Sequence, residues 1–265
     1  TDAGTLRRRQ GWAKRLGGTQ MRGLFALDDG SALVADYNQL CRLTYEDGQL
    51  NKQALMAELR PGAGVSYTAT PAGVYLTDGY GLWVLRGGAV ARATMDAPTA
   101  PGLSASAGGS LPGGLYQVAC TFERHDGTQS CASVSVQADV PDGGILNIHL
   151  PTTTQPLTAW VNVFVSPVNG DALFLAERLP IGTTSTTLYV PPEQGGRCMT
   201  LHMAPMPAGH IVRQHQGRLL VARGTAVFTS QPYAYGIYDP ADDFMQFPAD
   251  VTLLEPVDAG LFIVA

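Results

Sequence analysis

The sequence predicts an all-β protein in which repeated strand–turn–strand units are interrupted by one inserted β-sandwich. Three observations predict it. Glycine and proline are plentiful among short apolar stretches, an internal repeat recurs every 42–43 residues, and the repeat is broken once by a length that suits one sandwich domain. The 265 residues include 31 Gly and 18 Pro, which favours many short strands joined by tight turns. Hydrophobic residues make up 45%, enough for a real core, whereas charged residues make up 15%. That charge content is below the quarter or so usual in soluble domains, and it points to surface hidden against partners.

The repeat aligns without gaps. Ser31-Ala32-Leu33-Val34-Ala35-Asp36-Tyr37-Asn38-Gln39-Leu40-Cys41-Arg42-Leu43 matches Gly73-Val74-Tyr75-Leu76-Thr77-Asp78-Gly79-Tyr80-Gly81-Leu82-Trp83-Val84-Leu85, which places Asp36 on Asp78 at an offset of 42 residues. Each reads as strand, polar turn, strand. A third copy, Gly217-Arg218-Leu219-Leu220-Val221-Ala222, lies 144 residues after Gly73, which is 102 more than one period. A fourth begins at Gly260-Leu261-Phe262-Ile263-Val264, 43 residues after Gly217. The period is that of one four-stranded β-propeller blade. A leading glycine fits a tight turn into each apolar strand. Four copies, two of them partial, make an incomplete set for a closed ring of blades.

The 102 surplus residues match an immunoglobulin-like sandwich, which needs about 100. The segment opens at Ala97-Pro98-Thr99-Ala100-Pro101 and closes at Pro191-Pro192. Strands are expected over 115–122, 131–136, 145–150, 159–165, 173–178 and 186–190. Alternation puts Val161, Val163 and Val165 on one face and Trp160 on the other. Asp126-Gly127 and Asn169-Gly170 offer hairpin turns. Residues 51–59 read either as a short helix or as a loop and strand. The expected organisation is a basic arm over 1–22, propeller-like blades over 23–96 and 196–265, and the inserted sandwich over 97–195. The chain starts without Met and stops within a strand-like stretch, so both ends are expected to be trimmed.

Charge is unevenly spread. The first 22 residues carry Arg7, Arg8, Arg9, Lys14, Arg15 and Arg22 against Asp2, a net +5, so the remainder carries −10 within a total of −5. An acidic body argues against general nucleic-acid binding, while Arg7, Arg8 and Arg9 are candidate contacts for an anionic partner. No apolar run is long enough for a membrane-spanning helix.

Chemistry is sparse. Cys41, Cys120, Cys131 and Cys198 show no metal spacing; Cys120 and Cys131 flank a hairpin and could face each other, and they are expected as a reduced, half-buried pair. His210 and His215 would face opposite ways in one strand, which disfavours a shared metal. Asp28-Asp29 and Asp242-Asp243 sit in turn-like sequence rather than facing each other across a substrate, as glycoside chemistry requires. No nucleophile elbow, phosphate loop or metalloprotease motif occurs. The expectation is no enzyme and no cofactor. Tyr233, Tyr235, Tyr238, Phe244 and Phe247 cluster as a candidate interface.

Two groups of residues resemble a known family. Gly114-Leu115-Tyr116-Gln117-Val118-Ala119-Cys120-Thr121-Phe122 with Asp126-Gly127-Thr128-Gln129-Ser130 resembles fibronectin-type modules of bacteriophage virion proteins. Gly217 to Ala222, Phe228-Thr229-Ser230-Gln231-Pro232, Tyr238-Asp239-Pro240, Asp243-Phe244, Phe247-Pro248 and Gly260-Leu261-Phe262 resemble propeller blades of phage tail proteins, with tail nozzle and tail-tip subunits the nearest comparison. The resemblance spans about residues 20–265. It implies a virion structural subunit arranged in a ring around the tail axis, with copies of itself and other tail or neck proteins as partners and passing contact with phage DNA. It carries over no catalytic residue. An acidic lumen would repel the passing DNA. The alternative expectation is a receptor- or glycan-binding propeller at the tail tip.

Overall fold

The computed structural model describes residues 16–265. Among them every regular element is a strand, all strand pairing is antiparallel, and no helix is long and apolar enough to cross a membrane. The chain divides into two compact units, the first ending at Val65 and the second running Ser66–Ala265.

The first unit holds β1 (Met21–Ala26), β2 (Ala32–Asp36), β3 (Gln39–Glu46) and β4 (Gln49–Met56), hydrogen-bonded in that order. Leu33, Val34 and Ala35 of β2 and Leu40 and Cys41 of β3 are buried. Residues 51–59 are not helical: most of them lie in β4. The Asp47-Gly48 turn sets that outcome. Both residues have positive φ, the geometry that folds a strand straight back on its neighbour.

Asp36 holds this sheet to the segment before it. Its Oδ1 accepts the backbone N–H of Thr19 (2.8 Å) and of Gln20 (2.9 Å), and its Oδ2 accepts Lys52 Nζ at 2.7 Å. Lys52 first, then the Gln20 amide, lower its pKa to about 2, against the opposing effect of burial. The unfolded value is about 3.9. The folded group is therefore the stronger acid, so its contribution is present above pH ~4 and is lost as pH falls from ~4 towards 2. In calorimetric scans across this range, Asp36→Asn should lose less stability on acidification than the parent chain.

The second unit begins with β5 (Ser66–Thr70), β6 (Gly73–Thr77), β7 (Leu82–Arg86) and β8 (Ala89–Arg92), again a sheet in sequence order. The chain then makes β9 (Gly102–Leu111), β10 (Gly114–Arg124), β11 (Val136–Val140), β12 (Gly144–His149), β13 (Thr158–Val165), β14 (Phe174–Pro180) and β15 (Ser185–Leu188). These form two sheets, of order β11-β10-β13-β14 and β15-β12-β9. They share one core: Val118, Cys120, Phe122, Val161, Val163 and Val165 from the first meet Leu146, Ile148 and Leu188 from the second. Trp160 points away from that core and lies under the Arg178 guanidinium, 4.5 Å from its ring centre. The other face of the first sheet is covered too, by Leu173 and Cys198 on Ala119 and Phe164.

Next come β16 (Ala204–Pro205), β17 (Ile211–His215), β18 (Arg218–Arg223), β19 (Ala226–Thr229), β20 (Ile237–Tyr238) and β21 (Phe244–Gln246). β17, β18, β19 and β21 form a four-stranded sheet in that order, and β16 pairs with β20. β22 (Leu253–Val257) and β23 (Gly260–Val264) form a hairpin. The segments aligned in the sequence fall on equivalent places, namely β2, β6, β18 and β23, each the second strand of its sheet. The leading Gly73, Gly217 and Gly260 have φ of +130°, +74° and +150°, which residues with a Cβ rarely adopt.

Sheets on either side of the interruption pack together. Tyr75, Leu82 and Val84 share a core with Val212, Leu219 and Val221, and Ala93 and Met206, which bracket the interruption, lie in the same core. Thr77 Oγ1 donates to Gly209 O at 2.7 Å, and Val212 N donates to Ser66 Oγ at 3.0 Å. A second core continues from Leu220, Ala222 and Val227 to Leu254, Leu261 and Ile263 of the last hairpin.

Residues 131–135, expected as strand, are irregular. Here serine hydroxyls stand in for strand carbonyls. Ser130 gives its N–H to Phe122 O (2.9 Å) and takes the Phe122 N–H on its Oγ (2.9 Å). Ser133 treats Cys120 the same way, at 2.8 and 3.0 Å, so the segment pairs with β10 without forming a ladder. Ser166 on Gln117 and Ser230 on Leu219 repeat the device. All four serines are buried. Removing such a hydroxyl leaves a buried N–H without an acceptor, which costs about 1–3 kcal/mol. Ser230→Ala and Ser133→Ala should each lower the unfolding free energy read from urea titration by that amount, as a lower midpoint with no change in the slope of the transition.

Candidate functional site

Two features of the second unit stand out from its packed interior. The first is a cavity of about 680 Å³. Its lining comes from four separate stretches: Ala72 to Ala93 of the β5–β8 sheet, the turn after β10, residues 199–203, and the loop from Gln231 to Ile237. One side is aromatic. Tyr75 and Tyr235 meet edge to face, with ring centres 5.3 Å apart. Burial raises the pKa of both phenols, so both remain neutral. The Tyr235 hydroxyl is buried beside Thr70 without a hydrogen bond of normal geometry.

The other side is charged. Arg86 ends β7, donates its Nε to Ala72 O at 2.7 Å and pairs through Nη1 with Asp126 Oδ2. Asp126 belongs to the Asp126-Gly127 turn and accepts the Thr128 N–H at 2.9 Å. Burial works to raise its pKa, but the Thr128 hydrogen bonds and the Arg86 and Arg124 charges outweigh it, and the carboxyl stays below its ordinary value. Arg124 ends β10 and is buried. Burial, with the Arg86 charge beside it, lowers its pKa, and Asp126 acts in the opposite sense. Its Nη1 donates to Arg92 O at 2.8 Å and its Nη2 reaches Thr94 O at 3.4 Å, while its Nε is buried without a partner.

These bonds also hold the connection into the two-sheet region. Arg124 grips the chain at residues 92–94, and Gln155 clasps the backbone of Asp96 from both directions, at 2.8 and 3.1 Å. Arg86–Asp126 links the β5–β8 sheet to the turn beyond β10.

The second feature is the β22–β23 hairpin. The pairing of Leu253 with Val264, Glu255 with Phe262 and Val257 with Gly260 puts these residues on one face. Leu254, Leu261 and Ile263 fill the core on the other face. The first face nevertheless exposes Leu253, Val257, Phe262 and Val264, with Phe262 57% exposed. Antiparallel sheets normally turn a polar face to water, so two apolar faces are a departure.

The aromatic cluster expected as an interface divides. Tyr235 is buried and Tyr238 packs against the same core, its ring 5.3 Å from Phe228. Phe247 packs against the last core. Tyr233, 74% exposed, and Phe244 remain open to a partner. Tyr235 is thus a core residue rather than an interface residue, because its ring fills the gap beside Tyr75. Arg7, Arg8 and Arg9 lie outside the described residues.

All four cysteines are free and buried, and Cys120 and Cys131, expected as a half-buried pair, are fully buried. Burial pushes the Cys120 and Cys131 pKa values up to about 12, which keeps both sulfurs as thiols. Among the described residues no group of three or more His, Cys, Asp or Glu is placed to hold a metal ion. His210 Nε2 lies 2.6 Å from Val251 O.

No family model and no curated protein matches the chain.

Arg124→Met keeps an apolar stem and removes the bonds to the 92 and 94 carbonyls. The expected cost is about 2 kcal/mol, read from urea unfolding, with faster hydrogen exchange over residues 93–101. Unchanged exchange there would mean that Arg124 does not hold the connection.

Proposed function

We propose that this chain is a structural subunit of a bacteriophage tail, of the nozzle or neck and tail-tip kind, assembled from copies of itself into a ring around the DNA conduit. In this reading the four-stranded sheets are propeller-like blades, and residues 97–195 are an immunoglobulin- or fibronectin-like module inserted between two of them. The observation that carries the reading is the doubly apolar β22–β23 hairpin. Phe262, Val257, Leu253 and Val264 form a surface that a second copy would cover. The resemblance of residues 114–130 and 217–262 to phage virion proteins supports the virion setting, and the 15% charged content suits a subunit with much surface in contact. The module would face outward or touch a neighbouring subunit. The acidic remainder of the chain would line or face the conduit and keep DNA from sticking.

Sedimentation velocity and electron microscopy of the purified chain test the reading. Closed rings are expected, and Phe262→Asp should disperse them into monomers that keep the parent's melting temperature. A chain that stays monomeric at its highest soluble concentration, or rings indifferent to Phe262→Asp, would overturn it.

A further inference from the structure

We propose that the cavity between the β5–β8 sheet and the 231–237 loop is a binding site for a small acidic sugar, a pyranose bearing one carboxylate. This site is independent of the ring assembly. Its volume, about 680 Å³, falls within the range of small-molecule sites.

Tyr233 is the most informative residue. It lines the cavity, its ring is exposed, and its backbone has a φ of +58°, in the left-handed region. A bulky residue with this φ is uncommon and costs stability that glycine would not. The fold fixes it there all the same. Tyr233 N donates to Gly217 O at 2.7 Å, and its ring lies over Gly217, where a Cβ would come within 2.9 Å of the ring. A rigid, exposed aromatic held in strained backbone at the edge of a cavity is a platform for a ligand face. Tyr75 and Tyr235 extend the aromatic side.

The charged lining sets the ligand's charge. Arg86 and Arg124 against Asp126 leave one positive charge in excess, and a single carboxylate balances it. Thr128, Gln129, Thr200 and Gln231 also line the cavity, and hydroxyl and amide groups suit the hydroxyls of a sugar ring. An aliphatic acid would leave the aromatic side unused, and a neutral sugar would leave the excess charge unbalanced.

Saturation-transfer NMR with glucuronate, glucose and acetate tests the site on the intact chain. Glucuronate should bind at least about tenfold more tightly than either of the other two. Tyr233→Gly should weaken glucuronate about tenfold while the melting temperature stays the same or rises, because glycine accepts the backbone without strain. Arg86→Gln should reduce the preference for glucuronate over glucose. No transfer to glucuronate, equal binding of glucose or acetate, or full binding by Tyr233→Gly would each overturn the proposal.

Discussion

The second unit depends on one contact, the packing of the β5–β8 sheet against the sheet of β17, β18, β19 and β21. Leu219, Val221 and Val212 lie against Tyr75, Leu82 and Val84, and burying each side chain of this size stabilises by roughly 1.5–3 kcal/mol. The contact joins segments more than 100 residues apart in sequence, and it brings Ala93 and Met206 into one core. Gly236 shows how tightly the parts approach: a Cβ there would come within 2.6 Å of the Ala93 carbonyl oxygen. With both ends of the interruption fixed in one place, the two-sheet region can hold its own core without disturbing the sheets that flank it. The cavity follows from the same geometry, because its lining is drawn from both sides of the interruption.

Backbone groups beside four buried serines are satisfied in a consistent way. Buried serines pair with both backbone groups of a single strand residue, at Phe122, Cys120, Gln117 and Leu219. This ends a ladder without orphaning an N–H, and it lets the chain leave a sheet within its buried region. The buried Glu123 carboxylate is also fully partnered. Glu123 receives Arg178 Nη2 at 2.6 Å and Asn162 Nδ2 at 2.7 Å, so the carboxylate on β10 is paired and hydrogen-bonded. Asp78, aligned in the repeat with Asp36, accepts the Tyr80 and Gly81 amides at 3.0 Å each. The two aspartates occupy matching positions, but one closes a turn and the other ties down a preceding segment.

The all-β class was legible because apolar strands and turn residues alternate along most of the chain. The repeat was legible for a specific reason. The second strand of each repeat unit carries three or four apolar residues in a row, and a glycine or serine stands at its entrance. β9 was not legible: Gly-Leu-Ser-Ala-Ser-Ala-Gly-Gly-Ser-Leu has little bulk, and it is a strand because β12 pairs with it along residues 102–107. Residues 131–135 of the strand expected over 131–136 are irregular because Ser130 and Ser133 meet β10 through hydroxyl and N–H together rather than through ladder pairing. Among the aromatics, sequence proximity could not separate Tyr233 from Tyr235, since only the turn between them decides which ring enters the core. The cavity had no sequence signal at all, because Arg86, Arg124 and Tyr233 are brought together by long-range packing.

The shared anchoring of Ala93 and Met206 also bears on the order of events during folding. Closing a loop of about 110 unstructured residues is entropically costlier than closing one of a dozen, by about 2 kcal/mol on a logarithmic scale. If the two-sheet region collapses first around Val118, Phe122, Val161 and Val163, it shortens the effective tether before the flanking sheets have to meet. Early formation of the interruption would then speed the contact on which the unit depends, and the inserted residues would act as a folding aid to the sheets they separate.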